Sequence, residues 1–254
     1  MLVSDIGYVL YKKKYRESSL LITLFTQSYG KINALVKGYY RKNQKQFSLF
    51  ESGFLLALQM KKPRNEDGLY NIYKSEVYQI NTDCRLSYLK QMCCYYINEL
   101  IYYLYPNAIT DDGLFQAYQK SLTDIANASE YDVSLRVFES KLLGVLGYQS
   151  VYDTDDQGNK INDYDFYQLQ LMMLPQKVNV SQESSHQLIL LGSTLRSLSD
   201  LEKIQQLEDK YILKLLKIIH KLYINHLLQG RQLESRRLVL EYTQQMKANR
   251  QRSS

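Results

Sequence analysis

Few side chains in this 254-residue sequence have the types and spacing that chemistry requires. His220 and His226 stand six residues apart, about 240° around a helix, so they cannot share one metal as an i, i+4 pair would. His186 stands alone. Asp153-x-Asp155-Asp156-x-Gly158 begins like a calcium loop, but that loop would need a bidentate Glu where Tyr164 stands, so a solvated turn is the better reading. No G-x-S-x-G nucleophile turn, phosphate-binding G-x-x-x-x-G-K-[ST] or dinucleotide-binding G-x-G-x-x-G is present. The sequence therefore predicts no catalytic residues, no metal, no cofactor and no enzyme activity.

The basic residues are more informative. Residues 1–80 hold 13 Lys and Arg against 6 Asp and Glu, whereas residues 81–254 hold 19 against 20. The whole excess of the +6 chain thus lies in its first third, the electrostatic signature of a polyanion partner. Two segments carry it: Lys12-Lys13-Lys14 with Tyr15 and Arg16, and Lys37-Gly38-Tyr39-Tyr40-Arg41-Lys42 followed by Lys45. Cations interleaved with aromatic rings suit a single nucleic-acid strand, with charge for its phosphates and rings for its bases. Lys12, Lys13, Lys14, Arg16, Lys37, Arg41, Lys42 and Lys45 are expected to neutralise phosphates, and Tyr39 or Tyr40 to stack on bases.

These residues need a scaffold. Up to Ile80 the pattern has strand character: Val3–Tyr11, Ser18–Thr26, Ile32–Val36, Gly53–Met60 and Leu69–Ile80, with a turn at Ser28-Tyr29-Gly30-Lys31 and a polar loop at Lys61–Gly68. Ser18–Thr26 is nearly continuous apolar, as a strand buried on both faces would be. Five short strands with basic connections fit an OB-fold β-barrel, the five-stranded barrel that binds oligonucleotides. Beyond Ile80 the apolar period becomes helical. A helix capped by Thr82 or Asp83 carries Leu86, Leu89, Cys93, Tyr96, Ile97, Leu100 and Leu104 and stops at Pro106; the Tyr pairs 95–96 and 102–103 sit on it with core spacing. A second helix starts at Thr110-Asp111-Asp112, and a third runs from about Val133 to Leu146 with Gly147 at its end. After the acidic loop Asp153–Asp165, helices are expected at Ser184–Leu198 and Asp209–Leu228. The tail after Glu241 is expected to fray. The predicted class is α+β: an N-terminal barrel over 1–80, an all-α helical domain over 81–241 and a polar tail over 242–254.

The longest apolar stretch, Gln91–Tyr105, contains Asn98 and Glu99 and is too short to span a bilayer. Lys12-Lys13-Lys14 follows the first apolar stretch instead of preceding it, unlike a secretory signal. Cys84, Cys93 and Cys94, odd in number and two of them adjacent, read as free thiols on a helix in a reducing cytoplasm.

Taken in order, several segments resemble the RecO family of bacterial recombination mediators. They are Glu17–Thr26, Gly30-Lys31-Ile32 and Val36-Lys37-Gly38 in the barrel. In the helical part they are Tyr96-Ile97-Asn98-Glu99-Leu100, Leu135–Glu139 with Leu142-Leu143 and Leu146-Gly147-Tyr148, and Gln229–Arg236. The resemblance covers the chain to about Leu240. It implies an OB-fold followed by a helical domain, and a nucleoid-associated cytoplasmic protein. It also implies binding of single- and double-stranded DNA and annealing of complementary strands. Its partners would be RecR (and RecF), in loading recombinase onto strands coated with single-stranded DNA-binding protein. It further implies that the acidic, apolar tail of that coating protein binds the helical domain. A groove near Arg136 and Lys141, two cations beside an apolar stripe, is the expected receptor. Many members carry a four-Cys zinc site after the stretch matching Leu146-Gly147-Tyr148; here Gln149–Asn162 contains no Cys, which resembles a zinc-free branch. Two alternatives remain open: a barrel serving as a protein adaptor, or an RNA-binding barrel.

Overall fold

A computed structural model describes residues 1–41, 49–65, 68–80, 87–128, 131–148, 152–179, 188–199 and 210–252. The chain forms two compact units, Met1–Tyr131 with Arg231–Ser254, and Asp132–Gly230. This division differs from the strand-to-helix boundary at residue 80, because the first two helices and the last one belong to the barrel's unit.

In the first unit, β1 (Leu2–Tyr15), β2 (Ser19–Thr26), β3 (Gly30–Val36), β4 (Phe54–Lys61) and β5 (Tyr70–Ile80) close a barrel in the order β1-β2-β3-β5-β4. The β3–β5 pairing is parallel and the other four are antiparallel. Alternate residues fill the interior: Leu20, Ile22 and Leu24 from β2, Leu56, Leu58 and Met60 from β4. The other face of β2 is buried as well. Phe25 meets Tyr105, Phe115 and Tyr118 at ring-centroid distances of 5.8, 5.4 and 5.5 Å, which accounts for the unbroken apolar run.

Tyr105 is the C-cap of α1 (Tyr88–Leu104), and Phe115 and Tyr118 belong to α2 (Asp112–Asn127). Asp111 caps α2 by accepting from the Leu114 amide at 2.6 Å. The expected caps Thr82 and Asp83, with Cys84 and Leu86, lie outside the described residues; among the described ones Ser87 is the N-cap of α1. Cys94 is buried and Cys93 half-buried.

The Gly30-Lys31 pair ties barrel to helix. Gly30 has φ +63°, and a Cβ there would lie 1.9 Å from the Ile109 carbonyl oxygen, so only glycine permits the approach. Lys31, 7% exposed, donates from Nζ to the carbonyl oxygens of Tyr102 at 2.7 Å and Ile101 at 3.4 Å, near the C-terminus of α1. Burial pulls its ammonium down to about 8. The native state therefore releases this proton well below the unfolded chain, and stability linked to Lys31 rises with pH between about 8 and 10.5. Relative to Lys31→Met, the wild type should gain up to about 3 kcal/mol across that window. Urea unfolding of both proteins at pH 7.5 and 10 reads the difference; a pH-independent gap contradicts it.

The last helix, α6 (Glu234–Arg252), continues well beyond Glu241, correcting the expected frayed tail. Arg237 pairs with both Glu234 and Glu241, Thr243 donates to the Val239 carbonyl at 2.8 Å, and the Tyr242 ring lies 4.6 Å from Tyr88.

The second unit contains α3 (Asp132–Val145), a three-stranded sheet of β6 (Phe166–Leu169), β7 (Gln176–Val178) and β8 (Leu188–Leu191), then α4 (Gly192–Ser199) and α5 (Lys210–Leu228). Its core joins Tyr167, Leu190 and Leu195 to Ile212, Leu215, Leu216 and Ile219. The helical region thus also carries a small antiparallel sheet. The helix expected from Ser184 starts only at Gly192; residues 184–187 lie outside the described set, and Leu188–Leu191 pair with β6. A four-residue apolar run has no period that separates strand from buried helix. Gly192 marks the boundary, since a Cβ there would fall 1.9 Å from the Asn162 carbonyl oxygen.

Candidate nucleic-acid interface

The barrel topology brings the two basic segments to one end. β1 finishes and β3 finishes on either side of the start of β2, with Lys14 opposite Leu20 and Leu20 opposite Val36. Two strand spacings, about 10 Å, therefore separate Lys14 from the strand that leads into Lys37. A backbone bond from the Tyr40 amide to the Ser18 carbonyl, 3.1 Å, joins the connections. Lys12, Lys13, Lys14, Arg16, Lys37 and Tyr40 are all exposed.

Cations and rings interleave in space as they do in sequence. Lys14 Nζ lies 5.5 Å from the centroid of Tyr40, and the Arg16 guanidinium 5.3 Å from that of Tyr15. Lys12 pairs with Glu51 at 2.9 Å across an exposed gap, so a phosphate must compete with that carboxylate for it. Tyr39 departs from expectation. It is 5% exposed, belongs to the barrel core and meets Phe50 at 5.7 Å, so it cannot lie under a base. Burial first, and Glu51 second, raise its phenol. Tyr39 anchors the turn that displays Tyr40, whose ring lies 5.0 Å away. Arg41 ends that 3-10 turn, and Lys42 and Lys45 lie outside the described residues. At the opposite end of the barrel, Lys62 Nζ lies 4.2 Å from the Tyr29 centroid, with Tyr70 5.9 Å from Tyr29. The polar loop Lys61–Gly68 thus carries a second cation–ring cluster, and its Lys61-Lys62-x-Arg64 run is the sequence signal for it.

The helical cations fall elsewhere. Arg136 is 4% exposed, and its Nη2 donates to Glu139 Oε1 at 2.9 Å. It therefore cannot form the wall of an open groove for an acidic tail, whereas Lys141 is half-buried on the same helix. Glu139 Oε2 lies 2.9 Å from His220 Nδ1, and His220 Nε2 lies 3.1 Å from Ser140 Oγ. A carboxylate only accepts, so Nδ1 carries the proton shared with Glu139, and Nε2 shares the second hydrogen bond with the serine hydroxyl. The order matches a serine–histidine–acid relay, yet Glu139 and His220 are 2% and 4% exposed, leaving no room for a substrate. The network braces α3 against α5.

The acidic loop after Tyr148 does not fit a thiolate-held zinc, having no Cys. Asp155 accepts instead from the amides of Gln157 and Asn159 at 3.0 and 2.8 Å, so the stretch is a turn as expected, but at 2% exposure this carboxylate is buried in the turn, not solvated. Among the described residues no helix is long and apolar enough to cross a membrane.

Two distant motifs meet in the first unit. From α1, Glu99 accepts from the Glu234 and Ser235 amides at 2.9 Å each, and from the Ser235 hydroxyl, at the start of α6. Arg236 lies 5.3 Å from the Tyr96 centroid and donates to its hydroxyl at 3.2 Å. A closed five-stranded OB-type barrel with a basic, aromatic end and a following helical region defines the class of protein. The family models agree: Recombination protein O N terminal matches residues 1–81 and Recombination protein O C terminal matches residues 85–237. The chain belongs to the RecO family of DNA repair proteins. It is 30% identical to the DNA repair protein RecO of Francisella philomiragia over 92% of this chain and 94% of that one. The corresponding protein of Francisella tularensis subsp. novicida is 31% identical over 92% and 95%, and that of Methylococcus capsulatus 29% over 92% and 91%. Among solved structures, an asparaginyl-tRNA synthetase of Entamoeba histolytica aligns with a TM-score of 0.29 and 12% identity over 71% of this chain and 40% of that one, too low to indicate a shared fold.

Proposed function

We propose that this repair and recombination protein is a non-catalytic mediator. It binds single- and double-stranded DNA, anneals complementary strands and helps load recombinase onto strands coated with single-stranded DNA-binding protein. The observation that carries this reading is the meeting of Lys12–Arg16 with Lys37 and Tyr40 at one end of the barrel. Annealing needs no bond chemistry: neutralising phosphates on two strands lowers their mutual repulsion. Tyr40 supplies a base-stacking ring worth about 1–3 kcal/mol. RecR, RecF and the tail of the coating protein are the proposed protein partners, on the cytoplasmic nucleoid, with the tail received by helical surfaces other than buried Arg136.

The test is annealing of complementary fluorescent oligonucleotides coated with single-stranded DNA-binding protein, across a salt series. Acceleration that fades with salt, and that disappears when the coating protein lacks its tail, is expected. Binding to naked strands without acceleration would leave a binding module or adaptor, and would contradict the mediator reading.

A further inference from the structure

The second unit has its own charge anomaly. Residues 132–230 hold 12 acidic and 10 basic side chains, yet α5 contains Lys210, Lys214, Lys217 and Lys221 and no Asp or Glu. The acidic excess therefore lies entirely outside this helix. At about 100° per residue the four lysines fall within roughly 60° of one another, forming a stripe about 16 Å long. All four are exposed. Four other lysines meet carboxylates: Lys12 with Glu51, Lys74 with Glu76, Lys120 with Asp124, Lys177 with Asp165. Among the described residues none of the stripe lysines makes an ion pair. Beside the stripe, at about 80–120°, stand exposed Tyr211, Ile218 and Leu222 at 59%, 41% and 49% exposure. The opposite face is fixed by Ile212, Leu215, Leu216 and Ile219 in the core and by the His220–Glu139 contact, so the stripe is held rigidly.

We propose that this face of α5 is a second nucleic-acid contact, tracking the phosphates of a strand other than the one held at the barrel. The inference rests on the reading that the chain handles DNA. Lysines repeating every three or four residues, with no acid between them, match an evenly charged backbone better than a protein segment. A protein segment would meet a mixed surface and a pocket for its apolar anchor. A stripe of this length faces about five phosphates of one strand of a duplex. The flanking tyrosine and aliphatic side chains offer a surface for unpaired bases. Two polyanion sites on separate units let one molecule hold two strands.

The experiment uses the full chain and three variants. The stripe variant is Lys214→Gln, Lys217→Gln, Lys221→Gln; the rim variant is Lys13→Gln, Lys14→Gln, Lys37→Gln; the third carries Arg at the three stripe positions. Gln and Arg are good helix formers, and circular dichroism checks that each variant is folded. Protein saturated with a donor-labelled oligonucleotide is mixed with a non-complementary acceptor-labelled one, and energy transfer reports capture of the second strand. The stripe variant is expected to hold the first strand within twofold of wild type. Its affinity for the second strand should fall at least tenfold, with a log–log salt slope shallower by about 2, and the Arg variant should restore both. Unchanged second-strand capture by the stripe variant, or no capture by wild type, overturns the proposal. So does a stripe variant that keeps second-strand capture but loses binding to polyglutamate, which would make the face a protein-docking surface. A rim variant that still holds the first strand at wild-type affinity contradicts the barrel reading alone and leaves the stripe standing.

Discussion

Replacing Glu99 with alanine is expected to cost about 3–5 kcal/mol of stability in the barrel unit. This carboxylate, 4% exposed on α1, satisfies the Glu234 and Ser235 amides and the Ser235 hydroxyl at the first turn of α6. Those donors are orphans of a helix start, and the negative charge also meets the positive end of the helix dipole. Without Glu99 the donors stay in the interior unpaired, at about 1–3 kcal/mol each, with partial relief from relaxation. Glu99→Gln keeps the shape and one acceptor oxygen and should lose roughly half as much. Urea denaturation measures both; a loss below about 1 kcal/mol for Glu99→Ala would mean the α1–α6 contact is not held by this residue. The same contact makes Tyr96–Leu100 and Gln229–Arg236, more than a hundred residues apart, the two halves of one junction.

Glu139→Ala should be of similar size, about 3–5 kcal/mol, in the other unit. It leaves the Arg136 guanidinium at 4% exposure without its carboxylate, and its Nε already has no hydrogen-bond partner among the described residues. His220 loses the acceptor that orients its ring. Removing one member of a buried pair costs more than removing both, since the surviving charge stays desolvated. The Arg136→Met, Glu139→Leu double variant should therefore be closer to wild type than Glu139→Ala alone. A double variant as unstable as the single one would show that volume, not charge, sets the loss.

How far these features were legible in the sequence depended on whether the signal was local. The five strands were readable to within a residue or two, except that β1 runs on to Tyr15, because alternation and turn chemistry are properties of neighbouring residues. The basic rim was readable as composition, and the topology then supplied the meeting of its two halves. Tyr39 and Tyr40 are adjacent and chemically identical, yet one is in the core and the other at the surface; only the direction of the 3-10 turn decides which. Arg136 stood beside an apolar stripe as a surface cation would; what it meets in the interior is Glu139 one turn on, whose other oxygen is held by His220 from a helix distant in the chain. Leu188–Leu191 lacked a period of its own and took strand form from pairing with Phe166–Leu169. The lysines of α5 were visible as letters. Their significance emerged when burial of the opposite face fixed which side of the helix meets solvent.

The most direct test of the central claim, that one end of the barrel is an electrostatic grip for a nucleic-acid strand, is the salt dependence of single-strand binding. Fluorescence anisotropy with oligonucleotides of two unrelated sequences would compare the wild type with Lys13→Gln, Lys14→Gln, Arg16→Gln, Lys37→Gln. The wild type should give a log–log slope of about −3.5 if it contacts about five phosphates, and the variant a slope shallower by two or more, with at least tenfold weaker binding to both sequences alike. A slope near zero, or a loss confined to one sequence, would contradict a phosphate grip at this end of the barrel.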